Sequence, residues 1–533
     1  MTSGSKKLLI LITLLALALR LYRPNYPSLL WDEAALGYNS YSLLKTARDE
    51  YGTLLPLIFK SFGDYKPGLY VYLTLPFVAT LGLTHLAVRL PSIILGSLLP
   101  YFLYLLITQI SPKSKKLALL SAVILAFNPI NIHFSRGAWE TNILTVELVP
   151  AALFFYRKKY TISALIFATT LYTYQGAKLT SLLLIFILTL IHLKKITHKP
   201  SVFALKFILP LFILALPLAY GLFFNTDSNR LKIVSLFSYP RSQTETDLII
   251  SESSLLNYQV FYNRPIFFFR NFISRYFNHF SPQLLAFVGD WQNPRHSAPH
   301  VGILLFPSLI FFVIGLFSLP AKTAKLRAGH SFFLFWLLVA PIPAALTRDS
   351  VQTVRAMNLS IPLVFFTALG LHTFLKKYHQ IAIRASLLII YLLSFIYYTD
   401  LYHNHMIKKS PHHFLYGYQQ ASQYLIQNQS QYKNIYFTNF YGQPYIYYLF
   451  YSQYSPAKYQ DQAQLTENQQ GDTGTVDRID NIRFTSTPTP LSLPPNSLAI
   501  YSHDELLRLN LDPKMFIPLS PVNNISTFYA YHN

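Results

Sequence analysis

Long apolar runs, punctuated by short basic clusters, constrain this chain more than any other feature. Runs near residues 8–22, 88–108, 117–134, 160–175, 178–193, 201–224, 301–320, 330–347, 355–375 and 382–399 come close to or exceed the length a membrane helix needs, about 17–25 residues. Hydrophobic residues make up 52% of the chain and charged residues only 12%, which excludes an ordinary soluble globular protein. Tyr and Phe gather at the ends of the runs, as interfacial aromatic belts require. No small-x-small cleavage pattern follows the first run, so it is expected to remain as a helix. The formal charge of +22 sits mainly in short loops, the pattern that orients membrane helices, and nucleic acid is not an expected partner. Cysteine is absent, which excludes disulfides and thiolate metal sites.

Parity then fixes a topology. Lys6-Lys7, Lys113/Lys115/Lys116, Arg157-Lys158-Lys159, Lys194-Lys195 with Lys199, Lys322/Lys325/Arg327 and Lys376-Lys377 with Arg384 serve as cytoplasmic markers, so an even number of crossings separates each pair of neighbours. From Arg157 onward simple pairs satisfy this. Earlier, one apolar run must fail to cross. The segment 68–83 is the choice, because it is short, Tyr-rich and carries Pro76 and Gly82; it is expected to lie at the interface. The fold class expected is an all-α polytopic membrane protein of about 11 transmembrane helices with juxtamembrane helices. Its N-terminus is cytoplasmic, and Asp32, Lys66, Glu140, the 225–300 loop and the tail lie outside, in the cell membrane of a multi-pass protein. Residues 1–405 form the membrane domain. Residues 411–533, with 6 Lys/Arg against 8 Asp/Glu, form a small extracytoplasmic α/β domain with a strand at Asn434-Ile-Tyr-Phe and a second near Ala499-Ile-Tyr-Ser. The stretch 462–495 reads as loop.

The outer face collects the polar features. Trp31-Asp32-Glu33-Ala34 places two carboxylates just beyond the first span, where ionised groups are costly unless solvated or paired. It leads to Asp64-Tyr65-Lys66-Pro67-Gly68-Leu69-Tyr70, to Ala87-Val88-Arg89-Leu90-Pro91-Ser92, to Phe134-Ser-Arg136-Gly-Ala-Trp-Glu140-Thr-Asn142, and late to Thr353-Val354-Arg355. This ordered set resembles the dolichyl-phosphate-mannose protein O-mannosyltransferases and the aminoarabinose transferases of lipid A, both GT-C type membrane glycosyltransferases. The likeness covers roughly residues 8–375, with its motifs concentrated in the first 145.

The resemblance implies transfer of a sugar from a polyprenyl-phosphate donor to a hydroxyl on a protein, lipid or glycan, outside the membrane and with inversion. Such a reaction needs a general base for the hydroxyl and cations for the leaving phosphate. Asp32 is the expected base, the plain alternative being a cap for a helix over Ala34–Leu44. Glu33 orients the acceptor or shares the site, and Glu140 lines the same pocket. Lys66, with Tyr65 beside it, grips the lipid phosphate at the start of the interfacial helix, or else snorkels. Arg136 is a substrate residue, although Arg136 and Glu140 are spaced to pair on a helix. Arg355 and one of Arg270, Arg275 and Arg295 are expected phosphate ligands. No cofactor is required and no metal site is predicted: Pro299 breaks the helix that would align His296 and His300, and a divalent ion between Asp32 and Glu140 is not expected. Asn358, Asn428 and Asn524 head glycosylation sequons. The competing class is a transporter or lipid flippase, which should carry mid-membrane charges in repeated halves; the acids here lie at one face and no repeat is visible.

Overall fold

The computed structural model describes residues 3–224, 233–318, 324–466, 474–522 and 525–533. Lys322, residues 225–232 of the long loop and the Asn524 sequon lie outside the described residues. The chain is mostly helical, with several apolar helices and a small sheet near the C-terminus. Among the described residues five helices are long and apolar enough to cross a membrane, or six if Lys115–Ala126 and Pro129–Arg136, bent by 54°, make one span. Other expected spans are shorter apolar helices, such as Tyr160–Leu171, Phe306–Phe317 and His330–Ala345. The 68–83 run forms a 13-residue helix, Leu69–Leu81, with Pro76 inside it.

The chain divides into two compact units. The first comprises Met1–Ala16, Ser97–His133 and Leu144–Tyr398. Its helices pack through aromatic side chains: Phe333 and Phe365 stack with ring centroids 3.9 Å apart, and buried Trp336 donates its indole N–H to Asn358 Oδ1 at 2.9 Å. The Asn358 sequon is therefore a core hydrogen-bonding group rather than a surface one. A polar knot ties the loop before residue 300 to the start of the Thr353–Ala356 helix. Asp290 accepts from Thr353 N at 2.9 Å and from His296 Nδ1 at 3.0 Å, and Gln352 N donates to His279 Nε2 at 3.3 Å.

The second unit comprises Leu17–Gly96, Phe134–Ile143 and Thr399–Asn533. Its core joins early residues such as Leu29, Ala34, Tyr38, Phe59 and Val88 to Tyr418, Phe437, Tyr447 and Phe528. The sheet runs in the order Arg478–Ile479, Ile482–Phe484, Asn434–Phe437, Ser497–Ser502, Phe528–His532, Ile517–Pro518. Asn434–Phe437 pairs in parallel with both neighbours, and the outer pairs are antiparallel. The expected strands at 434 and 499 are thus the sheet's centre. The stretch expected as loop from 462 supplies short strands, one of them flanking that centre. Such two- and three-residue strands carry almost no period-2 signal.

Candidate active site

The Trp31–Thr46 helix begins three residues before the expected start, so Asp32 and Glu33 both fall in its first turn, where carboxylates face the positive end of the helix dipole. Glu33 closes the turn by accepting from Leu30 N at 3.0 Å. The same carboxylate accepts from Ala138 N at 2.7 Å and takes both arms of Arg89, Nε at 2.8 Å and Nη2 at 2.7 Å. Burial alone would push the Glu33 carboxyl up. The Arg89 charge, its hydrogen bonds and the two backbone N–H groups outweigh burial and hold it below the usual carboxylate value.

Arg89 and Arg136 together build the segment that delivers this turn. Pro24 and Pro27 have no N–H, so the 19–30 segment cannot satisfy its own carbonyls by regular structure. Arg89 donates its remaining N–H groups to the carbonyls of Pro24 at 2.8 Å, Pro27 at 3.0 Å and Ser28 at 3.1 Å, so all five guanidinium donors are used. Arg136 donates to the carbonyls of Leu19, Arg20, Arg23 and Tyr26 at 2.9–3.3 Å and lies over the Tyr402 ring. Both arginines are buried. Arg136, expected to touch substrate, is committed to the backbone here. Arg89, which sequence reasoning passed over as a site residue, is the partner that sets Glu33; its signal was only its place in the Ala87–Ser92 motif.

Asp32, one residue earlier, points the other way. Its carboxylate pairs with Lys66 Nζ, and the two side chains are 34% and 16% exposed, so water and ligands reach them. Lys66 stands on a β-hairpin, Ile58–Ser61 against Asp64–Pro67, rather than on the expected helix start. The hairpin turns at Phe62-Gly63, both in the left-handed region. Alternation puts Tyr65 on the opposite face from Lys66, and Lys66 also lies over the Phe62 ring at 5.6 Å. Glu140, first residue of the Glu140–Tyr156 helix, is half-buried and within electrostatic reach of Lys66 and Asp32. Two carboxylates and one ammonium therefore share a partly open spot. Trp31 fixes the helix start beneath it, packed so closely on Gly442 (φ +130°) that a Cβ there would lie 2.1 Å from the indole ring.

That constellation lies inside the best-defined sequence match. Residues 10–226 match the family model of dolichyl-phosphate-mannose-protein mannosyltransferases. The expected family is thus the one the sequence matches, and the enzyme class is a glycosyltransferase. The matched stretch holds Asp32, Glu33, Lys66, Arg89, Arg136 and Glu140. ArnT from Cupriavidus metallidurans, solved in the apo state, superposes with a TM-score of 0.55 at 11% identity, over 99% of this chain and 98% of that one, so the chain has an ArnT-like fold. The archaeal oligosaccharyltransferase AglB from Archaeoglobus fulgidus, solved with an inhibitory peptide and a dolichol-phosphate, is a looser likeness: TM-score 0.45, 12% identity, 84% of this chain and 64% of that one. No curated protein sequence matches the chain.

The remaining expected phosphate ligands belong to the other unit. Arg355 pairs with Asp349 at 3.2 Å and donates to Thr347 Oγ1 at 3.1 Å. Arg275 donates to Asn271 and to the Arg348 carbonyl. Arg270 is exposed on the Arg264–Asn278 helix, and Arg295 is half-buried, its carbonyl hydrogen-bonded to His133 Nε2 at 2.9 Å. Among the described residues no three His, Asp or Glu side chains cluster as a metal site.

Proposed function

We propose that the protein transfers a sugar from a polyprenyl-phosphate donor to an acceptor hydroxyl, with Asp32 as general base and Lys66 as the cation for the leaving phosphate. The observation that carries this reading is the part-exposed Asp32–Lys66 pair with Glu140 beside it, set on a turn held by the Glu33–Arg89 clamp. Without donor, Lys66 neutralises Asp32. A donor phosphate competes for the ammonium and frees the carboxylate to act as base. Asp32 then takes the hydroxyl proton, the acceptor oxygen bonds to the anomeric carbon, and the carbon–oxygen bond to phosphate breaks with its electron pair going to the phosphate. Attack from the face opposite the leaving group inverts the carbon. Glu140 keeps the acceptor side anionic, and Tyr65, on the other face of the hairpin from Lys66, is kept only as a donor-binding candidate. Glu33 acts through Arg89 as a positioning residue, and Arg136 through the carbonyls it holds. Arg270, Arg295 and Arg355 are kept as donor-binding candidates, readable as increases in KM for donor.

In this reading the chain crosses the membrane about eleven times, with the site and the C-terminal residues on the extracytoplasmic side, and the reaction uses no metal or cofactor. The acceptor is a protein, lipid or glycan hydroxyl. The test is turnover of a polyprenyl-phosphate sugar by protein in bilayer nanodiscs, with the product's anomeric configuration read by NMR. Inverted product from the native chain and none from Asp32→Asn is expected. Equal turnover by the two, or retained configuration, would end the proposal.

A further inference from the structure

We propose that the C-terminal part of the chain carries a separate binding pocket for a neutral oligosaccharide. A cavity of about 620 Å³ opens where the turn at 429–431, the end of the Pro444–Ser452 helix, the start of the Pro456–Gln462 helix and the turn at Asp480-Asn481 meet. That is within the range of small-ligand sites, about 300–1,000 Å³. Its lining is unlike that of most such sites. Every lining side chain carries a hydroxyl, an amide or a charge, and no aliphatic residue contributes. An apolar peptide side chain or a lipid tail would find only the tyrosine rings to bury against, among polar neighbours. A phosphate would meet one cation, Lys458, and one carboxylate, Asp480, which offset each other.

What remains suits a polyol. Three tyrosines, Tyr432, Tyr448 and Tyr454, supply the aromatic lining, the last two with centroids 5.8 Å apart and planes at 47°. Their hydroxyls are already engaged: Tyr448 donates to Gln429 Oε1 at 3.0 Å and Tyr454 to Asp480 Oδ2 at 2.7 Å. Gln462 locks the second pair by donating to Tyr454 Oη at 2.8 Å and accepting from Asp480 N at 2.9 Å. The rings are thus held before any ligand arrives, and rigid rings of this kind bind the C–H face of a sugar at small entropic cost. Around them, the side chains of Ser430, Gln453, Ser455 and Lys458 make no hydrogen bond among the described residues. They supply donors and acceptors together, which is what hydroxyls that both give and accept require. Sequence reasoning expected a small domain here but missed this pocket, because its parts are scattered from Gln429 to Asn481 with no motif spacing to join them.

The experiment uses the full chain in nanodiscs without donor, so its outcome is independent of the transferase reading. Probes are mannotriose, chitotriose and maltotriose, with mannose 6-phosphate and a Ser/Thr-rich peptide as rivals, followed by saturation-transfer NMR. At least one neutral trisaccharide should bind. Ser455→Trp, an exposed residue on the rim, should abolish that binding, and Gln453→Ala should weaken it about tenfold, the value of one or two lost hydrogen bonds. Thermal melts of both variants should match the native chain. Binding of no neutral saccharide, preference for the phosphosugar or the peptide, or binding indifferent to both substitutions would overturn the proposal.

Discussion

Asp32 and Glu33 are adjacent in the chain, and their two ion pairs have opposite character. Glu33 meets Arg89 in a dry interior with every donor and acceptor matched, and neither side chain is more than 4% exposed. Asp32 meets Lys66 at a rim that water reaches, through a single ammonium on a flexible stem. A buried, fully satisfied pair is costly to break and offers no vacancy for a substrate. A part-exposed pair contributes little to stability, and a ligand can exchange for either partner. Adjacent acids at one helix start are thereby split into one that is locked in place and one that a ligand can reach.

The sharpest way to break this comparison is to exchange the consequences. Asp32→Asn should lower turnover by about 10²–10⁴-fold, the usual worth of a positioned general base, while the melting temperature stays near native. A large loss of stability with it would mean that Asp32 holds the fold as Glu33 does. Arg89→Met should do the reverse, costing about 3–5 kcal/mol in denaturant unfolding by stranding a buried carboxylate. Glu33→Leu combined with Arg89→Met should recover much of that loss, and a double variant no better than the single would show that the carbonyl contacts of Arg89 matter more than its carboxylate. Gly442→Ala should cost about 1–3 kcal/mol, from strain at φ +130° and overpacking against Trp31. It should also lower kcat more than KM, because Trp31 sets the turn that aims Asp32.

The smallest effect is a pH slope. Glu50 is fully buried, and burial, reinforced by neighbouring Asp49 and only partly offset by Asn39 and Lys66, pushes its carboxyl up to about 8. The unfolded chain loses that proton near 4.5. Between these values the folded state holds a proton the unfolded state does not, so stability falls as pH rises through this window. Glu33 has the opposite sign: its contribution is present above the unfolded value and is lost as pH falls through the depressed folded one. Glu50→Gln should flatten the melting-temperature profile between about pH 4.5 and 8 and leave the acid limb. An unchanged profile would remove Glu50 as its source.

Much of the fold was legible because a bilayer demands apolar length and basic clusters mark one side. The acids, Lys66 and Glu140 were legible as a set because their motifs stand in order. Which of Asp32 and Glu33 turns inward was not, since Arg89, 56 residues from Glu33, decides it. Arg136 was expected at the substrate from its place in the Phe134–Asn142 motif, with a pair to Glu140 as the plain alternative; its guanidinium instead meets carbonyls more than 100 residues earlier, which no local spacing shows. The hairpin under Lys66 did leave a trace, the two-residue Phe62-Gly63 turn, but Pro67 and the apolar run after it suggested a helix entry instead.

The hydrogen bond from Tyr447 Oη to the Leu29 carbonyl joins residues 418 positions apart. A ribosome adding about 5–20 residues each second needs roughly 20–80 s to cover that distance. Throughout that interval the acid-bearing helix exists without the tyrosine-rich helix that covers it. The corner that carries Asp32 is therefore covered only after the Pro444–Ser452 helix is made, and a nascent chain released before it would carry the early motifs without that cover.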